Sequence, residues 1–322
     1  MRLIDAKLLK LERFDDDTKI PPYAILSHTW GSAEVSLQQF EDAYTGDHFT
    51  RFQFEQMAGY AKIVMASKQA LEDGYAYVWV DTCCIDKTSS AELSEAINSM
   101  FRWYKNAKVC YAYLEDIEAG ISPPPDSGTV DESIRWNPKK LHIKNRLSEA
   151  RWFTRGWTLQ ELIAPLYVRF YTSNWSLIGT KANLLAELED ITGIDADALD
   201  GEPPESFSVS KRMSWASNRT TTRTEDIAYS LMGLFEVNMP LLYGEGEKAF
   251  VRLQEQILLD DDDQSIFAWS PSASNARPCT LGISVFATSP RDFAHGDDFH
   301  SYVPHGEPPT MTNQGVRVDL PV

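Results

Sequence analysis

The 322-residue sequence has no long apolar run. A helix that crosses a membrane needs roughly 18–20 predominantly apolar residues, and no segment of the chain approaches that length. The first 17 residues, MRLIDAKLLKLERFDDD, are too charged for the apolar part of a secretory signal. These absences predict a cytoplasmic protein that has no membrane partner.

Cysteine is scarce, and its spacing forms no CxxC pair. The four cysteines are Cys83, Cys84, Cys110 and Cys279. Cys83 and Cys84 are adjacent, so they cannot readily form a disulfide with each other, and we expect reduced thiols. Either of them could act as a nucleophile, but no His–Asn partner pattern accompanies them. The preferred interpretation is that they are inert buried thiols, and no metal site is expected.

Positive charge is also in short supply. Lys and Arg number 30 against 47 Asp and Glu, which gives a formal net charge of −17. Binding to a nucleic-acid backbone needs a basic surface, so nucleic acid is not expected as the main partner. Hydrophobic residues make up 43% and charged residues 24% of the chain, which is typical of globular domains. The length allows one large domain or two modest ones.

Short apolar runs alternate with amphipathic segments in the first third of the chain. The strands are predicted at Tyr23–His28, Tyr75–Asp81 and Ala107–Leu114. The helices are predicted at Phe52–Asp73, ended by Gly74, and from a Ser89-x-x-Glu92 capping box to Asn106. This alternation predicts an α/β fold in which helices cover both faces of a parallel sheet. Ligands bind such sheets beyond the carboxyl ends of the strands, so the residues after the first two strands are site candidates.

The rest of the chain is predicted to extend this core. Segment 115–151 contains Pro123-Pro124-Pro125 and many charges, which is typical of a long surface insertion. We expect a core domain at 1–175, a helical extension packed on it at 176–260, and a strand- and loop-rich, truncated tail at 261–322. Helices are predicted at Thr158–Ile163, Lys181–Ile191, Val209–Ser217, Glu225–Phe235 and about Glu247–Leu259, and strands at Tyr167–Tyr171 and Ser265–Trp269.

Three blocks of sequence, in this order, resemble the HET (heterokaryon incompatibility) domain of fungi. They are Tyr23–Gly31 (YAILSHTWG), Val78–Asp86 (VWVDTCCID) and Arg151–Leu162 (RWFTRGWTLQEL). Two later stretches, Asn218–Phe235 and Tyr243–Gln254, fit the same family, so the resemblance covers about residues 1–270. It implies a protein of vegetative incompatibility, a form of fungal innate immunity in which non-self recognition triggers programmed cell death.

The HET family is in turn similar to TIR domains, and this chain carries three features of that likeness. The helix Glu92–Asn106 and the strand Ala107–Leu114 resemble the helix and strand that follow the second strand of a TIR domain. Ile25–Gly31 stands where a TIR domain has its first strand and the loop after it. Trp157–Leu162 (WTLQEL) resembles the Trp-Cys-Leu-x-Glu-Leu motif of plant TIR domains, whose Glu cleaves NAD. The likeness implies a TIR-like or flavodoxin-like fold and Glu161 as the catalytic residue of an NAD glycohydrolase, with NAD as substrate and no bound cofactor. The chain departs from TIR domains at Thr158, which replaces the Cys, and in the insertion before the Glu-bearing helix.

The chemistry of NAD cleavage assigns roles to residues at the sheet edge. Breaking the nicotinamide–ribose bond creates an oxocarbenium-like centre that a nearby carboxylate, here Glu161, can stabilise. Ser27 and His28 end the first strand, and His28 could bond to ribose or phosphate. Trp30 could stack on the nicotinamide or adenine ring. The structural alternatives are that Glu161 pairs with an Arg and that Trp30 packs as a cap on the core.

Four further residues complete the candidate nucleotide site. Asp81 and Asp86 follow the second strand, and their alternatives are a turn cap for Asp81 and an ion pair for Asp86. Arg155 could hold the diphosphate by bidentate contacts, or could hold Glu161 or Asp86 instead. Trp157 lies in the same motif as Glu161 and is counted as a nucleotide contact.

Two classes of function remain open. The first is an enzyme that consumes NAD when the domain oligomerises. The second is a non-enzymatic signalling module that acts through protein partners or self-association, for which segments 115–151 and 176–259 offer surface. A housekeeping enzyme that uses the same pocket has no specific support in the sequence.

Overall fold

The computed structural model describes residues 1–45, 48–118, 138–271, 285–296, 309–312 and 315–317. The chain divides into two compact units. The first unit comprises Met1–Trp152 and Glu161–Ile191, and the second comprises Phe153–Gln160 and the described residues from Thr192 onward. None of the helices in the described ranges is both long and apolar enough to cross a membrane.

The first unit is built on a seven-stranded sheet. Its strands are β1 (Arg2–Asp5), β2 (Lys10–Arg13), β3 (Tyr23–His28), β4 (Tyr77–Trp79), β5 (Val109–Leu114), β6 (Val168–Thr172) and β7 (Leu177–Thr180). They lie in the order β2-β1-β4-β3-β5-β6-β7. Every residue of β3 and β5 is buried, which is why these strands read as continuous apolar runs. The predicted α/β class is confirmed.

The sheet is mixed, whereas the sequence predicted a parallel one. The four central strands, β4, β3, β5 and β6, pair in parallel. The β1–β2, β1–β4 and β6–β7 pairs are antiparallel. β1 and β2, and likewise β6 and β7, are joined by four-residue connections, and short connections of this kind can only produce antiparallel neighbours. The parallel prediction therefore holds for the centre of the sheet, where the candidate site lies.

The helices are shorter and more numerous than the sequence indicated. They are α1 (Leu37–Thr45), α2 (His48–Glu55), α3 (Ala58–Glu72), α4 (Asp81–Cys84), α5 (Ser90–Asn106), α6 (Pro138–Ser148), α7 (Thr158–Ile163), α8 (Leu185–Thr192), α9 (Ala196–Asp200), α10 (Val209–Ser214), α11 (Asp226–Tyr229) and α12 (Lys248–Asp260). Within the predicted insertion, α6 is helical and buries Ile143 and Leu147, while residues 119–137 lie outside the described part of the chain.

The predicted helix over Phe52–Asp73 is in fact two helices, α2 and α3. The break falls at Met57, whose backbone is extended. Two residues later, the backbone N–H of Gly59 donates to the carbonyl of Ala33 at 3.0 Å. A long-range backbone contact therefore overrides the helical pattern, and the predicted end at Gly74 is confirmed by its positive φ of 85°.

Half of the predicted capping box is present at the start of α5. The Ser89 hydroxyl accepts from the backbone N–H of Glu92 at 3.3 Å, which confirms the cap. The Glu92 carboxylate accepts instead from the backbone N–H of Asp86 at 2.8 Å and from the Arg2 guanidinium. It therefore ties α5 to the segment after β4 and to β1.

The second unit is mainly helical. Helices α10 and α12 lie close to their predicted ranges, but the predicted helix Glu225–Phe235 is split into α11 and a 3-10 turn at Met232–Leu234. The predicted strand Ser265–Trp269 is wrong, because Gln264–Phe267 forms a 3-10 helix. Its first turn is capped by the Asp263 carboxylate, which accepts from Ser265 N–H at 2.8 Å. A two-stranded hairpin follows, formed by β8 (Thr310–Thr312) and β9 (Gly315–Arg317).

Candidate functional site

The carboxyl ends of β3 and β4 bring three predicted site residues into contact. His28 is the last residue of β3, and Asp81 begins α4 directly after β4. The Nε2 atom of His28 lies 3.1 Å from Asp81 Oδ1. The indole Nε1–H of Trp30 donates to Asp81 Oδ2 at 2.8 Å. Both oxygens of Asp81 are therefore engaged, one by each of the other two residues.

Trp30 is presented to solvent rather than packed against the core. Its exposed fraction is 53%, so the alternative that it caps the core is wrong. The ammonium of Lys87 lies 3.7 Å from the centre of its ring, which is within the range of a cation–π contact. The Asp81 hydrogen bond and this contact hold an exposed aromatic ring in one orientation.

The environment of Asp81 favours the carboxylate. Burial alone would raise its pKa, but the hydrogen bond from His28, the nearby Lys87 charge and the hydrogen bond from Trp30 together lower the pKa to about 2. Asp81 is therefore ionised at neutral pH and can only accept hydrogen bonds.

The opposite side of His28 faces a buried ion pair that the sequence analysis missed. The Lys62 ammonium lies 2.6 Å from Glu34 Oε1 and 3.4 Å from His28 Nδ1. It is also 3.4 Å from the Thr29 carbonyl and 3.8 Å from Glu115 Oε2. Lys62 lies among the buried residues of α3, and a lysine at a core-facing helical position was a signal that the sequence offered.

Glu161 lies beside the same end of β3, where it contacts Ser27, the residue before His28. The Ser27 hydroxyl donates to the Glu161 carboxylate, and Trp152 Nε1–H donates to the Ser27 oxygen at 2.7 Å. Glu161 is 6% exposed. Burial, and to a smaller extent the nearby charge of Glu161, raises the pKa of the Tyr104 phenol well above its ordinary value. Ser27 is thus a direct link between Glu161 and the loop that carries His28 and Trp30.

A buried lysine holds the carboxyl end of the helix that carries Glu161. The Lys181 ammonium donates to the Leu162 carbonyl at 3.2 Å and to the Pro165 carbonyl at 2.6 Å. These carbonyls lie at the end of α7, where a positive charge is favourable. Lys181 therefore stabilises α7 and, with it, the backbone position of Glu161.

The other three predicted contacts have partners elsewhere. Asp86 accepts from the N–H and hydroxyl of Thr88 at 2.9 and 2.6 Å, and these bonds lower its pKa. Arg155 belongs to the second unit, where its guanidinium donates to Thr222 Oγ1 at 3.2 Å. Trp157 belongs to the same unit and hydrogen-bonds Asp226. Their roles in nucleotide binding stay predictions.

The thiols and acids present no metal-binding arrangement in the described ranges. Cys83, Cys84 and Cys110 are buried free thiols, and burial raises the pKa of Cys83 and of Cys110 well above the ordinary value. High thiol pKa values make these residues poor nucleophiles. No group of three His, Cys, Asp or Glu residues converges as metal ligands in this part of the chain. Cys279 lies outside the described residues.

Two cavities lie in the second unit. One, of about 530 Å³, is lined by Asp197, Asp200, Glu202 and Phe207 among others, and the second, of about 670 Å³, lies beside Leu258–Asp262. Neither is lined by a residue of the cluster around Asp81 and Glu161.

The segment of sequence that runs from β3 into α7 matches a known protein family. Residues 23–161 match the profile described as heterokaryon incompatibility protein (HET), and residues 248–322 match a domain of unknown function, DUF8212. The chain is therefore a HET-domain protein, as its motifs predicted. The HET match contains Ser27, His28, Trp30 and Asp81, and it ends at Glu161.

One curated relative is informative about the biology. The chain is 48% identical over 244 residues to the vegetative incompatibility protein HET-E-1 of Podospora anserina. The aligned region covers 76% of this chain and 16% of that protein, so the chain spans about a sixth of its relative. No solved structure matches the chain significantly.

Proposed function

We propose that this chain is the HET part of a fungal vegetative incompatibility protein, which acts in the cytoplasm in non-self recognition and triggers programmed cell death. The observation that carries the proposal is the 48% identity over 244 residues to a vegetative incompatibility protein. The identity extends over a region larger than the 23–161 HET match, so the relationship is not confined to the HET motifs.

Inducible expression of the full 322-residue chain in a filamentous fungus tests this proposal. The expected result is loss of viability after induction. Asp42→Asn, an exposed change in α1, is the control that should still kill. Asp81→Asn should reduce killing, because an amide keeps one acceptor oxygen where His28 and Trp30 use two. Normal growth at confirmed high levels of the wild-type chain would overturn the proposal.

We also propose that the cluster formed by Ser27, His28, Trp30, Asp81 and Glu161 cleaves NAD, with Glu161 as the catalytic carboxylate. The supporting observation is the Ser27–Glu161 hydrogen bond, because it places the carboxylate next to the loop that presents Trp30. In this reaction the nicotinamide–ribose C–N bond breaks and its electron pair leaves with nicotinamide. Water then adds to the ribose carbon and loses a proton, which gives ADP-ribose.

Glu161 and Trp30 have distinct parts in this chemistry. Glu161 stabilises the developing positive charge on the ribose, and the exposed Trp30 ring stacks on a planar base. Because Glu161 is 6% exposed, the reaction requires a rearrangement that lets the ribose reach the carboxylate. The two parts of the proposal are separable, since killing without NAD turnover would leave a non-enzymatic module that acts through protein partners or self-association.

Nicotinamide release by the purified chain, measured over a range of protein concentrations, tests the enzymatic part. We expect release by the wild type and a loss of about 100-fold in Glu161→Gln, which removes the stabilising charge. Glu187→Gln is the matched control, because Glu187 is equally buried at 6% exposed and lies in α8. Full turnover in Glu161→Gln would remove Glu161 from the mechanism, and no release by the wild type at any concentration would favour the non-enzymatic module.

A further inference from the structure

We infer that Lys62 is a positioning residue of the candidate site: it fixes the proton of His28 on Nε2, so that His28 donates to Asp81 and Asp81 holds Trp30 outward. The ring of His28 was expected to contact a ligand. Its side chain is only 2% exposed, and each ring nitrogen faces a protein group. His28 is therefore placed to act through Asp81 rather than by touching a substrate.

The Nδ1 side of the ring faces a donor. An ammonium has three N–H donors and no acceptor, so Nδ1, at 3.4 Å from Lys62 Nζ, has to be the accepting nitrogen. The Glu34 carboxylate, 3.8 Å from Nδ1, is already paired with Lys62 at 2.6 Å. An N–H on Nδ1 would point toward the ammonium, so that two donors would face each other, which is unfavourable.

The Nε2 side of the ring faces an acceptor. A carboxylate can only accept hydrogen bonds, and Asp81 Oδ1 lies 3.1 Å from Nε2. The second oxygen accepts from Trp30. Both sides of the ring thus require the same tautomer, with the proton on Nε2.

The charged groups around the His28 ring determine how the ring responds when Lys62 is removed. The titratable groups that face His28 are Glu34, Lys62 and Asp81, with Glu115 next to Lys62 and Lys87 near Asp81. Without the ammonium, His28 lies between two carboxylates, those of Glu34 and Asp81. Nδ1 then faces no donor and can itself donate to Glu34, so the position of the proton and the orientation of the ring are no longer fixed by Lys62.

Nitrogen NMR of the full chain with ¹⁵N-labelled histidine tests the inference without any ligand. The His28 signals are assigned by their absence in His28→Gln. In the wild type at neutral pH we expect a pyrrole-type (protonated) Nε2 and a pyridine-type (unprotonated) Nδ1. A proton on Nδ1, or protons on both nitrogens, would overturn the inference directly, even if no variant folds.

Variants then isolate the contribution of Lys62. Lys62→Met should give a pyrrole-type (protonated) Nδ1 signal for His28, and Lys62→Arg should keep the wild-type pattern because a donating cation is again present. Lys62→Met combined with Glu34→Gln should also keep the wild-type pattern, and so should Lys87→Met, whose ammonium contacts Trp30. A wild-type His28 pattern in folded Lys62→Met would show that Lys62 is merely structural.

The indole ¹⁵N–¹H signal of Trp30, assigned with Trp30→Phe, reports whether a change at Lys62 is transmitted through His28 and Asp81 to Trp30. It should shift in Lys62→Met and return in Lys62→Arg. An unchanged Trp30 signal in a variant in which the proton of His28 has moved to Nδ1 would refute the positioning role. The contribution of Lys62 to NAD cleavage rests on the proposed function. The position of the His28 proton is measured in the absence of NAD, so the inference about Lys62 and the proposed NAD cleavage can fail separately.

Discussion

The hydroxyl of Ser27 donates a hydrogen bond to the carboxylate of Glu161, although the two residues are 134 positions apart in the chain. Ser27 is the last but one residue of the buried strand β3, and Glu161 lies on the short helix α7. Trp152 donates to the same serine oxygen. One small side chain therefore satisfies both a buried carboxylate and a buried indole N–H.

Replacement of Ser27 by Ala should destabilise the first unit. The change removes a hydrogen bond to the Glu161 carboxylate and another from the Trp152 indole, and a hydrogen bond to a charged group contributes about 1.5–3 kcal/mol. Urea unfolding followed by tryptophan fluorescence gives the change in free energy. Ser32→Ala, an exposed serine a few residues later, should leave the midpoint unchanged. Equal midpoints for Ser27→Ala and the wild type would contradict the importance of this hydrogen bond.

The low pKa of Asp81 predicts a specific acid dependence of stability. The pKa is about 2 in the folded chain against an ordinary value of 3.8. The carboxylate therefore adds stability that is fully present above about pH 4 and is lost as the pH falls toward 2. The side chain is 15% exposed, and the shift corresponds to about 2 kcal/mol.

Unfolding midpoints measured between pH 7 and pH 2 check this dependence. Asp81→Asn should be less stable than the wild type at pH 7, and the difference should shrink as the pH approaches 2. Asp42→Asn, at an exposed position of α1, should run parallel to the wild type. A constant difference between Asp81→Asn and the wild type over this range would show that the charge of Asp81 does not contribute.

The contacts among His28, Trp30 and Asp81 could be foreseen from the sequence, because each residue follows or ends an apolar strand. The carboxyl ends of adjacent parallel strands meet at one edge of a sheet, so local pattern alone places these side chains together. The proximity of Glu161 came from a motif resemblance instead. Its hydrogen bond to Ser27 depends on how α7 packs, and no local pattern encodes that.

Strand β2 and the Lys62–Glu34 ion pair were not predicted from the sequence, because neither leaves a local pattern. Strand β2 (Lys10–Arg13) is largely exposed, so its residues carry no apolar signature, and its pairing with β1 comes from the turn between them. The Lys62–Glu34 ion pair joins a helix to a loop 28 residues earlier. Such a contact depends on tertiary packing, and sequence periodicity shows only that Lys62 occupies a core-facing position.

Substitution of Gly59 tests the importance of the backbone contact that separates α2 from α3. A Cβ atom at this position would lie 2.7 Å from Val35 N and 2.9 Å from the Ala33 carbonyl oxygen. Gly→Ala inside a helix ordinarily stabilises by up to about 1 kcal/mol, but here the clash is with backbone. Gly59→Ala should therefore destabilise by about 1–3 kcal/mol in urea unfolding.

The reverse substitution at an exposed site of α3 provides the comparison. Ala61→Gly should lose about 1 kcal/mol through helix propensity alone. The two opposite substitutions should thus both destabilise the protein. A stabilised Gly59→Ala variant would mean that the Gly59–Ala33 contact is looser than the structure shows.

In the second unit, Glu225 holds the loop that precedes α12. Its Oε1 atom accepts from the backbone N–H groups of Gly244 and Gly246 at 2.8 and 3.0 Å. Both glycines have positive φ, 105° and 62°, so the loop conformation depends on glycine. Hydrogen bonds from the N–H groups of Glu225 itself, Gly244 and Gly246 lower the pKa of Glu225.

Substitution of Glu225 by Gln should speed up amide hydrogen exchange at Gly244 and Gly246 by about tenfold, because a neutral acceptor forms weaker hydrogen bonds than a carboxylate. In the wild type, protection of these amides should be complete above the ordinary glutamate pKa and should fall only as the pH drops through the lower folded value. Glu205→Gln, an exposed change in the same unit, should leave both exchange rates unaltered. If the amides of Gly244 and Gly246 exchanged no faster in Glu225→Gln than in the wild type, the loop would be held by the conformation of its glycines and not by the carboxylate.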